Sequence, residues 1–147
     1  MKKYELTNET YADNPFIGTL YRIRALRDFG NIKKGALGGF VKSDDNLSHE
    51  GNCWVWDAAQ VYGNARVSGD AQILDCAVVS ADAKVYGNAR ISKHANVFGH
   101  AEVFGNAHVT DYARVSGEKT RVFGDAWIFG AAHVKYDEEI SSGIRSL

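Results

Sequence analysis

The chain has 147 residues, of which 45% are hydrophobic and 24% are charged, and its formal net charge is −1 at pH 7. This composition is typical of one globular domain, and no apolar run approaches the roughly 20 residues that cross a bilayer. A general nucleic-acid binder is usually basic, so we expect neither a membrane nor duplex nucleic acid as a partner.

The N-terminal segment, residues 1–34, carries two runs in which apolar and polar residues alternate. The runs cover residues 3–7 and 20–26, and a polar loop containing the single proline, Pro15, joins them. Alternation of this kind is typical of strands with one buried face, so we predict a β-hairpin cap. The two lysines at the start precede no apolar stretch. We therefore expect no secretory signal and a cytoplasmic location.

The middle segment, residues 35–137, is dominated by a six-residue repeat. After an irregular stretch, an alanine recurs at every sixth position from Ala59 to Ala113, and a valine or isoleucine follows each alanine by two positions. Cys53 extends the pattern backwards, and after a slip of one residue near Lys119 the pattern resumes. The spacing of two sends both apolar side chains to one face of a short strand, and the residues that follow favour turns. This repetition predicts an all-β solenoid of parallel strands filled by alanine and valine.

The segment Val61-Tyr-Gly-Asn-Ala65-Arg resembles the hexapeptide repeat of left-handed parallel β-helices. The resemblance implies three repeats, or 18 residues, per triangular turn, and hence about five turns. The Ala-x-Val-x-Gly-Asn pattern is also similar to uncharacterised repeat proteins of phage and gut-bacterial genomes. Residues 138–147 lose the pattern, and we expect them to form a tail that covers the C-terminal end of the solenoid.

Outward side chains form vertical rows when a turn has 18 residues, and several rows are rich in aromatic rings. Outward rings at this density predict burial against another molecule. Rings next to cations suit the stacking of a base and the pairing of a phosphate. We therefore predict a small nucleotide-like ligand at Arg66, Lys84, Tyr86, Arg90, Phe104, Arg121 and Phe123. We predict an interface between copies of the chain at Trp54, Trp56, His108, Trp127 and Phe129.

The resemblance also implies an acyltransferase, because hexapeptide-repeat enzymes are usually trimers in which a histidine deprotonates an acceptor hydroxyl or amine. His108 and His133 are the candidates for that base. Such enzymes shape the acceptor site with a long loop, however, and no insertion longer than one residue breaks this repeat. His94 and His100 lie on successive corners, roughly 15 Å or more apart, which is too far for one metal ion. We therefore predict no catalytic residue, no cofactor and no metal site.

These observations favour a non-catalytic binding protein that forms a homo-oligomer, with a trimer expected. The similarity to phage proteins favours a counter-defence factor in the host cytoplasm. Such a factor would sequester a nucleotide-derived immune signal at subunit interfaces or block a host defence protein. Two alternatives stay open: a hexapeptide-repeat acyltransferase that uses acyl-CoA, and a structural spacer or virion module.

Overall fold

The repeat forms two-residue strands joined by tight turns, and successive turns of the chain stack into a parallel β-solenoid. A computed structural model describes residues 2–12 and 14–146. The alanine and the valine or isoleucine of each repeat point into the solenoid, where their exposed fractions are 0 to 2%. Both side chains share one face because they stand two residues apart on an extended strand. The predicted core of stacked alanine and valine is therefore confirmed.

The described residues contain three longer strands near the N-terminus and a series of two-residue strands after them. The longer strands are β1 (Tyr4–Tyr11), β2 (Leu20–Ala25) and β3 (Leu37–Val41), and a 3-10 helix, Asp44–Asn46, follows them. The short strands are β4 (Trp54–Val55), β5 (Gln60–Val61), β6 (Arg66–Val67), β7 (Gln72–Ile73), β8 (Val78–Val79), β9 (Lys84–Val85), β10 (Arg90–Ile91), β11 (Asn96–Val97), β12 (Glu102–Val103), β13 (His108–Val109), β14 (Arg114–Val115), β15 (Arg121–Val122), β16 (Trp127–Ile128), β17 (His133–Val134), β18 (Glu139–Ile140) and β19 (Ile144–Arg145).

Three sheets form the three sides of the solenoid. Face one contains β3, β5, β8, β11, β14 and β17, face two contains β6, β9, β12, β15 and β18, and face three contains β4, β7, β10, β13, β16 and β19. A single parallel bridge between Leu47 and Val67 adds the first turn to face two. The solenoid thus has about six turns rather than the expected five, because its irregular first turn and its C-terminal residues both pair in register.

The N-terminal hairpin is an extension of face one. β1 pairs antiparallel with β2, and β2 pairs antiparallel with β3, which begins the parallel series. The predicted hairpin cap is therefore confirmed. The connection between β2 and β3 folds over the first turn of face three, where Phe29 and Ile32 are buried. The cap consequently covers one side of the solenoid as well as its end.

Left-handed backbone conformations at the corners explain the high glycine content. Gly87 has a φ of +65°, and a Cβ atom there would lie 2.9 Å from the backbone nitrogen of Gly105 in the next turn. Close stacking therefore excludes a side chain at this corner. At the corner between faces three and one, Asp75 adopts the same conformation, with a φ of 59°, and its carboxylate accepts a hydrogen bond from the Lys93 backbone at 3.0 Å. A short carboxylate side chain thus joins two turns where glycine is absent.

The C-terminal segment continues the solenoid rather than folding across its end. β18 pairs in parallel with β15, and β19 pairs in parallel with β16. This differs from the expected tail, because the pairing continues even though the repeat is no longer visible in the sequence. No helix in the described part of the chain combines the length and the apolar character that crossing a membrane requires.

Candidate functional site

Face two and its border with face three bring together six of the seven predicted ligand-binding residues. Strand pairing places Arg66, Lys84, Glu102 and Arg121 in one outward row. The corner beside this row carries Tyr86, Phe104 and Phe123, which follow the strands directly. The seventh residue, Arg90, lies on face three and pairs with His108. The candidate site therefore comprises the face-two row and its aromatic corner.

The three rings form a continuous stack, which we call the aromatic ladder (Tyr86, Phe104 and Phe123). The ring centroids of Tyr86 and Phe104 are 4.9 Å apart with an interplanar angle of 1°. Those of Phe104 and Phe123 are 5.0 Å apart with an angle of 3°. The stacking follows from the solenoid, since equivalent positions in adjacent strands lie about 4.8 Å apart. The rings are thus held parallel by the backbone.

Polar groups flank the ladder and hold its members in place. The Arg121 guanidinium lies 4.9 Å from the Phe104 ring centroid and 5.7 Å from that of Phe123, which is a cation–π geometry. The Tyr86 hydroxyl donates a 2.7 Å hydrogen bond to Glu102 Oε1. Partial burial raises the pKa of the Tyr86 phenol, and the Glu102 bond raises it further. Tyr86 therefore stays protonated and oriented at neutral pH.

The ladder ends at Tyr86 because the equivalent position in the preceding turn is Ser68. The one ring that contacts Tyr86 within the described residues is Phe104, so no ring covers its other face. Arg66 and Lys84, both exposed, flank this end of the ladder. Neither cation takes part in a side-chain hydrogen bond, ion pair or ring contact within residues 2–12 and 14–146. A half-buried ring with no aromatic neighbour on its second face, among the residues that the structure describes, thus lies next to a row that carries two unpaired positive charges.

A cavity of about 330 Å³ lies one turn before Tyr86, between the face-two row and the first turn of the chain. Arg66 and Ser68 line it from face two, and Asp44, Asp45 and His49 line it from the first turn. The Asp44 carboxylate already has two cationic or titratable partners, Lys2 Nζ at 3.0 Å and His49 Nε2 at 3.4 Å. The cavity therefore has a cationic side next to the ladder and an acidic side next to the 3-10 helix.

The predicted interface residues divide between a buried and an exposed group. Trp54 is fully buried, with the Phe29 ring centroid 5.3 Å away in an edge arrangement, so its assignment to an interface is wrong. The reason is the connection between β2 and β3, which covers this part of face three. Trp127 at the other end of the row is 48% exposed. His108 is exposed and Phe129 half-buried, and both rings lie beside Trp127, at centroid distances of 6.3 and 5.6 Å.

Trp56 and Arg90 line a separate groove of about 440 Å³ under the cap connection. The Trp56 indole donates a 2.6 Å hydrogen bond to Gln72 Oε1, and the Gln72 amide nitrogen donates to the Asn52 backbone oxygen at 3.0 Å. The tryptophan is thus fixed within the first turns of the chain. This groove brings a predicted interface residue and a predicted ligand-binding residue together, on a different face from the ladder.

The two candidate catalytic histidines, His108 and His133, lie on different faces, so they do not belong to one site. His108 is on face three, where partial burial lowers its pKa and the Arg90 charge lowers it further. His133 is on face one, where its Nε2 atom lies 3.1 Å from Ser116 Oγ. Partial burial, together with the charges of Lys135 and Arg114, lowers the pKa of His133. Both imidazoles are therefore neutral near pH 7.

Sequence reasoning missed the pairing of Ser116 with His133 and the fully buried Lys3. The first could have been found, because His133 follows Arg114 in the same outward row and Ser116 is the corner residue two positions after Arg114. Lys3 precedes the repeat, and no periodic signal marks it. The described residues contain no group of three His, Cys, Asp or Glu side chains arranged to hold a metal ion.

The repeat, the strand pairing and the inward core define a parallel β-helix of the hexapeptide-repeat-like kind. Residues 59–75 match a family model described as the YdcK β-solenoid repeat. The chain is also similar to the protein named uncharacterized acetyltransferase YdcK from Escherichia coli (strain K12), at 36% identity over 77 residues. That match covers 48% of this chain and 24% of the relative. The chain therefore corresponds to about a quarter of the relative's length.

Proposed function

We propose that this chain is a non-catalytic binding protein that holds a planar, anionic, nucleotide-like ligand at the open end of the aromatic ladder. The observation that carries the proposal is the end of the aromatic stack at Tyr86, beside a row with the unpaired cations Arg66 and Lys84. A base placed over Ser68 would extend the stack by one ring. Its phosphate would then lie within reach of the two cations.

The residues around Tyr86 can bind both the base and the phosphate of a nucleotide. A ring stacked on an aromatic side chain gains roughly 1–3 kcal/mol, whatever the base. The Arg66 guanidinium offers bidentate hydrogen bonds to phosphate oxygens, and Lys84 adds a second positive charge. Asp44 and Asp45 on the far side of the cavity disfavour a ligand with a large negative charge. A mononucleotide or a dinucleotide therefore fits this position better than a long polymer.

The binding role includes self-association, which would leave the ladder accessible. Trp127, which is 48% exposed, forms an aromatic group on face three with its neighbours His108 and Phe129. We assign this group to the contact between copies of the chain in a homo-oligomer, with a trimer expected. The ladder stands at the opposite border of that face. Stoichiometric sequestration of a nucleotide-derived signal, in a counter-defence role, would be one use of such an assembly.

Calorimetric titration with AMP and with adenosine tests the ligand proposal. We expect AMP to bind and adenosine to bind at least tenfold more weakly, because only AMP engages the cations. Tyr86→Ala and Arg66→Gln should each weaken AMP binding. Arg114→Gln is the matched control, since Arg114 is also exposed but lies over Phe98 on face one, at 5.1 Å. Equal affinity for both ligands, or an equal loss in the control, would refute the proposal.

Acyl transfer is the second candidate function, and one contact favours it. His133 Nε2 lies 3.1 Å from Ser116 Oγ, and in the tautomer whose Nε2 carries no proton the pair has the arrangement of a base beside a nucleophile. The partial similarity to a protein named as an acetyltransferase agrees with this candidate. Release of free thiol from acetyl-CoA, measured for the unaltered chain and for His133→Asn, separates the candidates. Turnover that disappears in the variant would favour acyl transfer over pure binding.

A further inference from the structure

Lys3 is a fully buried lysine at the N-terminal end of the solenoid. A buried lysine is rare unless its ammonium group is paired. Here the Nζ atom lies 2.8 Å from the Cys53 carbonyl oxygen, 3.3 Å from the Gly51 oxygen and 3.5 Å from the Glu50 oxygen. No carboxylate within the described residues forms an ion pair with it. Backbone carbonyl groups, with the Phe29 ring centroid 4.8 Å away, therefore surround this nitrogen in place of a counter-ion.

The Lys3 nitrogen also contacts a thiol. Cys53 Sγ lies 3.4 Å from Lys3 Nζ, and both residues are fully buried. Cys53 occupies the first alanine position of the repeat, so its sulfur points into the end of the core. The backbone oxygens of Ser48 and Glu50 approach the sulfur at 3.6 and 3.8 Å. The Lys3 amino group and the Cys53 thiol are thus in direct contact within the fold.

Burial shifts the pKa of both groups. It lowers the pKa of Lys3, and the Arg27 charge lowers it further against opposing effects of Cys53 and Asp70. Burial also raises the pKa of the Cys53 thiol, although Lys3 opposes the change. Desolvation thus opposes the charged form of each group. When the Lys3 ammonium group gives up a proton, its nitrogen gains the free electron pair that a nucleophile needs, and burial makes that loss easier.

We propose that Lys3 and Cys53 form an oxidation-sensitive pair, which hydrogen peroxide converts into a covalent sulfur–nitrogen cross-link between the N-terminal strand and the first turn. The 3.4 Å separation and the fixed geometry of the Lys3 nitrogen carry this proposal. Lys3 precedes β1 and Cys53 precedes β4, so the cross-link would join two residues that enclose the cap strands in the sequence. The cap would then be attached to the solenoid by a bond in addition to its packing.

The reaction needs one equivalent of peroxide and balances in two steps. In the first, the Cys53 sulfur attacks one peroxide oxygen, the O–O bond breaks, and sulfenic acid and water form, so that sulfur is oxidised and peroxide reduced. In the second, the Lys3 nitrogen attacks that sulfur and the S–O bond breaks. The hydroxyl leaves as water with a proton from the amine, and an S–N bond remains. Excess thiol reductant restores the amine and the thiol.

Mass spectrometry of the Cys76→Ser chain tests the proposal. Removing the exposed thiol leaves Cys53 as the single cysteine. After peroxide treatment we expect an intact mass about 2 Da lower, because two hydrogens are lost, and reversal by dithiothreitol. Tryptic digestion should yield the Lys3 and Cys53 peptides joined, with no cleavage after Lys3. The melting temperature should rise by several degrees and fall again on reduction.

Two variants provide controls. Lys3→Arg keeps a cation but lacks the primary amine, and Cys53→Ala restores the residue found at the equivalent positions of the repeat. Neither should form the cross-link, and circular dichroism checks that each is folded. A gain of about 32 Da on Cys53 without a joined peptide would indicate sulfinic acid and refute the proposal. An unchanged thiol under conditions that oxidise Cys76 in the unaltered chain would also refute it.

Discussion

The two ends of the solenoid are closed in different ways. At the N-terminal end, β1 and β2 extend face one, the connection to β3 covers Trp54, and Lys3 lies fully buried above Cys53. At the C-terminal end no extra sheet is added to the last turn within the described residues. The last parallel strands, β18 and β19, are simply the final members of their faces.

The C-terminal end is instead closed by charges at inward positions. Strand pairing aligns Arg145 with the inward Ile128, and Glu138 precedes β18 where alanine stands in other turns. Arg145 Nη1 and Glu138 Oε2 are 2.7 Å apart, with side-chain exposures of 40% and 34%. Inward-pointing charges on an edge are one way in which β proteins prevent strand addition. The last turn therefore ends the core without a separate cap.

The two ends stabilise their charged side chains differently, because one end is covered and the other is exposed to water. A covered end holds an ammonium group without a counter-ion, since carbonyl oxygens replace its water. An open end uses an ion pair that stays partly in water. The covered end consequently depends on local hydrogen bonds, and the open end depends on ionisation.

The largest expected effect comes from the turns between the ends. Val103→Asp would bury an unpaired carboxylate among alanine and valine side chains, so we expect a loss of more than about 4 kcal/mol and an unfolded chain. Phe104→Asp, one residue later, changes a half-buried outward ring and should leave the chain folded. Circular dichroism and urea unfolding measure both variants. A folded Val103→Asp chain would mean that the ends, rather than the inward core, hold the solenoid together.

The covered end should lose more from a single substitution than the open end. Lys3→Met keeps the volume but removes the donor for three carbonyl oxygens, at a cost of about 1–3 kcal/mol. Arg145→Met breaks a partly solvated ion pair and should cost less than about 1 kcal/mol. Urea unfolding of the two variants measures the difference. Equal losses would contradict the distinction between the two ends.

The period of six was sufficient to predict the faces and the outward rows, since Arg66 and Lys84 stand 18 residues apart and Arg121 joins their row once the slip near Lys119 is counted. It was insufficient for Trp54, because its burial depends on a connection near Phe29 that lies outside the repeat. Lys3 was also not predictable, as its partners are backbone oxygens brought close by the cap. Periodicity thus describes each turn, whereas long-range packing decides what covers it.

Restoring the repeat at the open end should promote association. The double variant Glu138→Ala and Arg145→Val places apolar residues at the inward positions of the last turn. Its exposed edge would then match another strand edge, and we expect larger species than the unaltered chain forms at the same concentration. Sedimentation velocity measures the size distribution. Lys135→Ala with Glu139→Val removes the same charges from outward positions of that turn and should not change the size.

The smallest effect is the pH dependence of the open end. The hydrogen bond from Arg145 lowers the pKa of Glu138 below its ordinary value, and a backbone bond from Lys135 adds to this shift. Since the folded-state pKa is below the unfolded one, the stabilisation is complete above the unfolded pKa and disappears as the pH falls through the folded pKa. We therefore expect the free energy of unfolding of the unaltered chain to be higher than that of Glu138→Gln near pH 7, by less than about 1 kcal/mol.

That advantage should shrink between about pH 5 and pH 3, where the carboxylate becomes protonated. Urea unfolding at several pH values measures it, and Glu139→Gln on the outward side of the same turn controls for general charge effects. An advantage that persists unchanged at low pH would mean that the shape of the Glu138 side chain, rather than its ionisation, closes this end. The open end would then resemble the covered end, where packing and hydrogen bonds to backbone oxygens hold the Lys3 side chain in place.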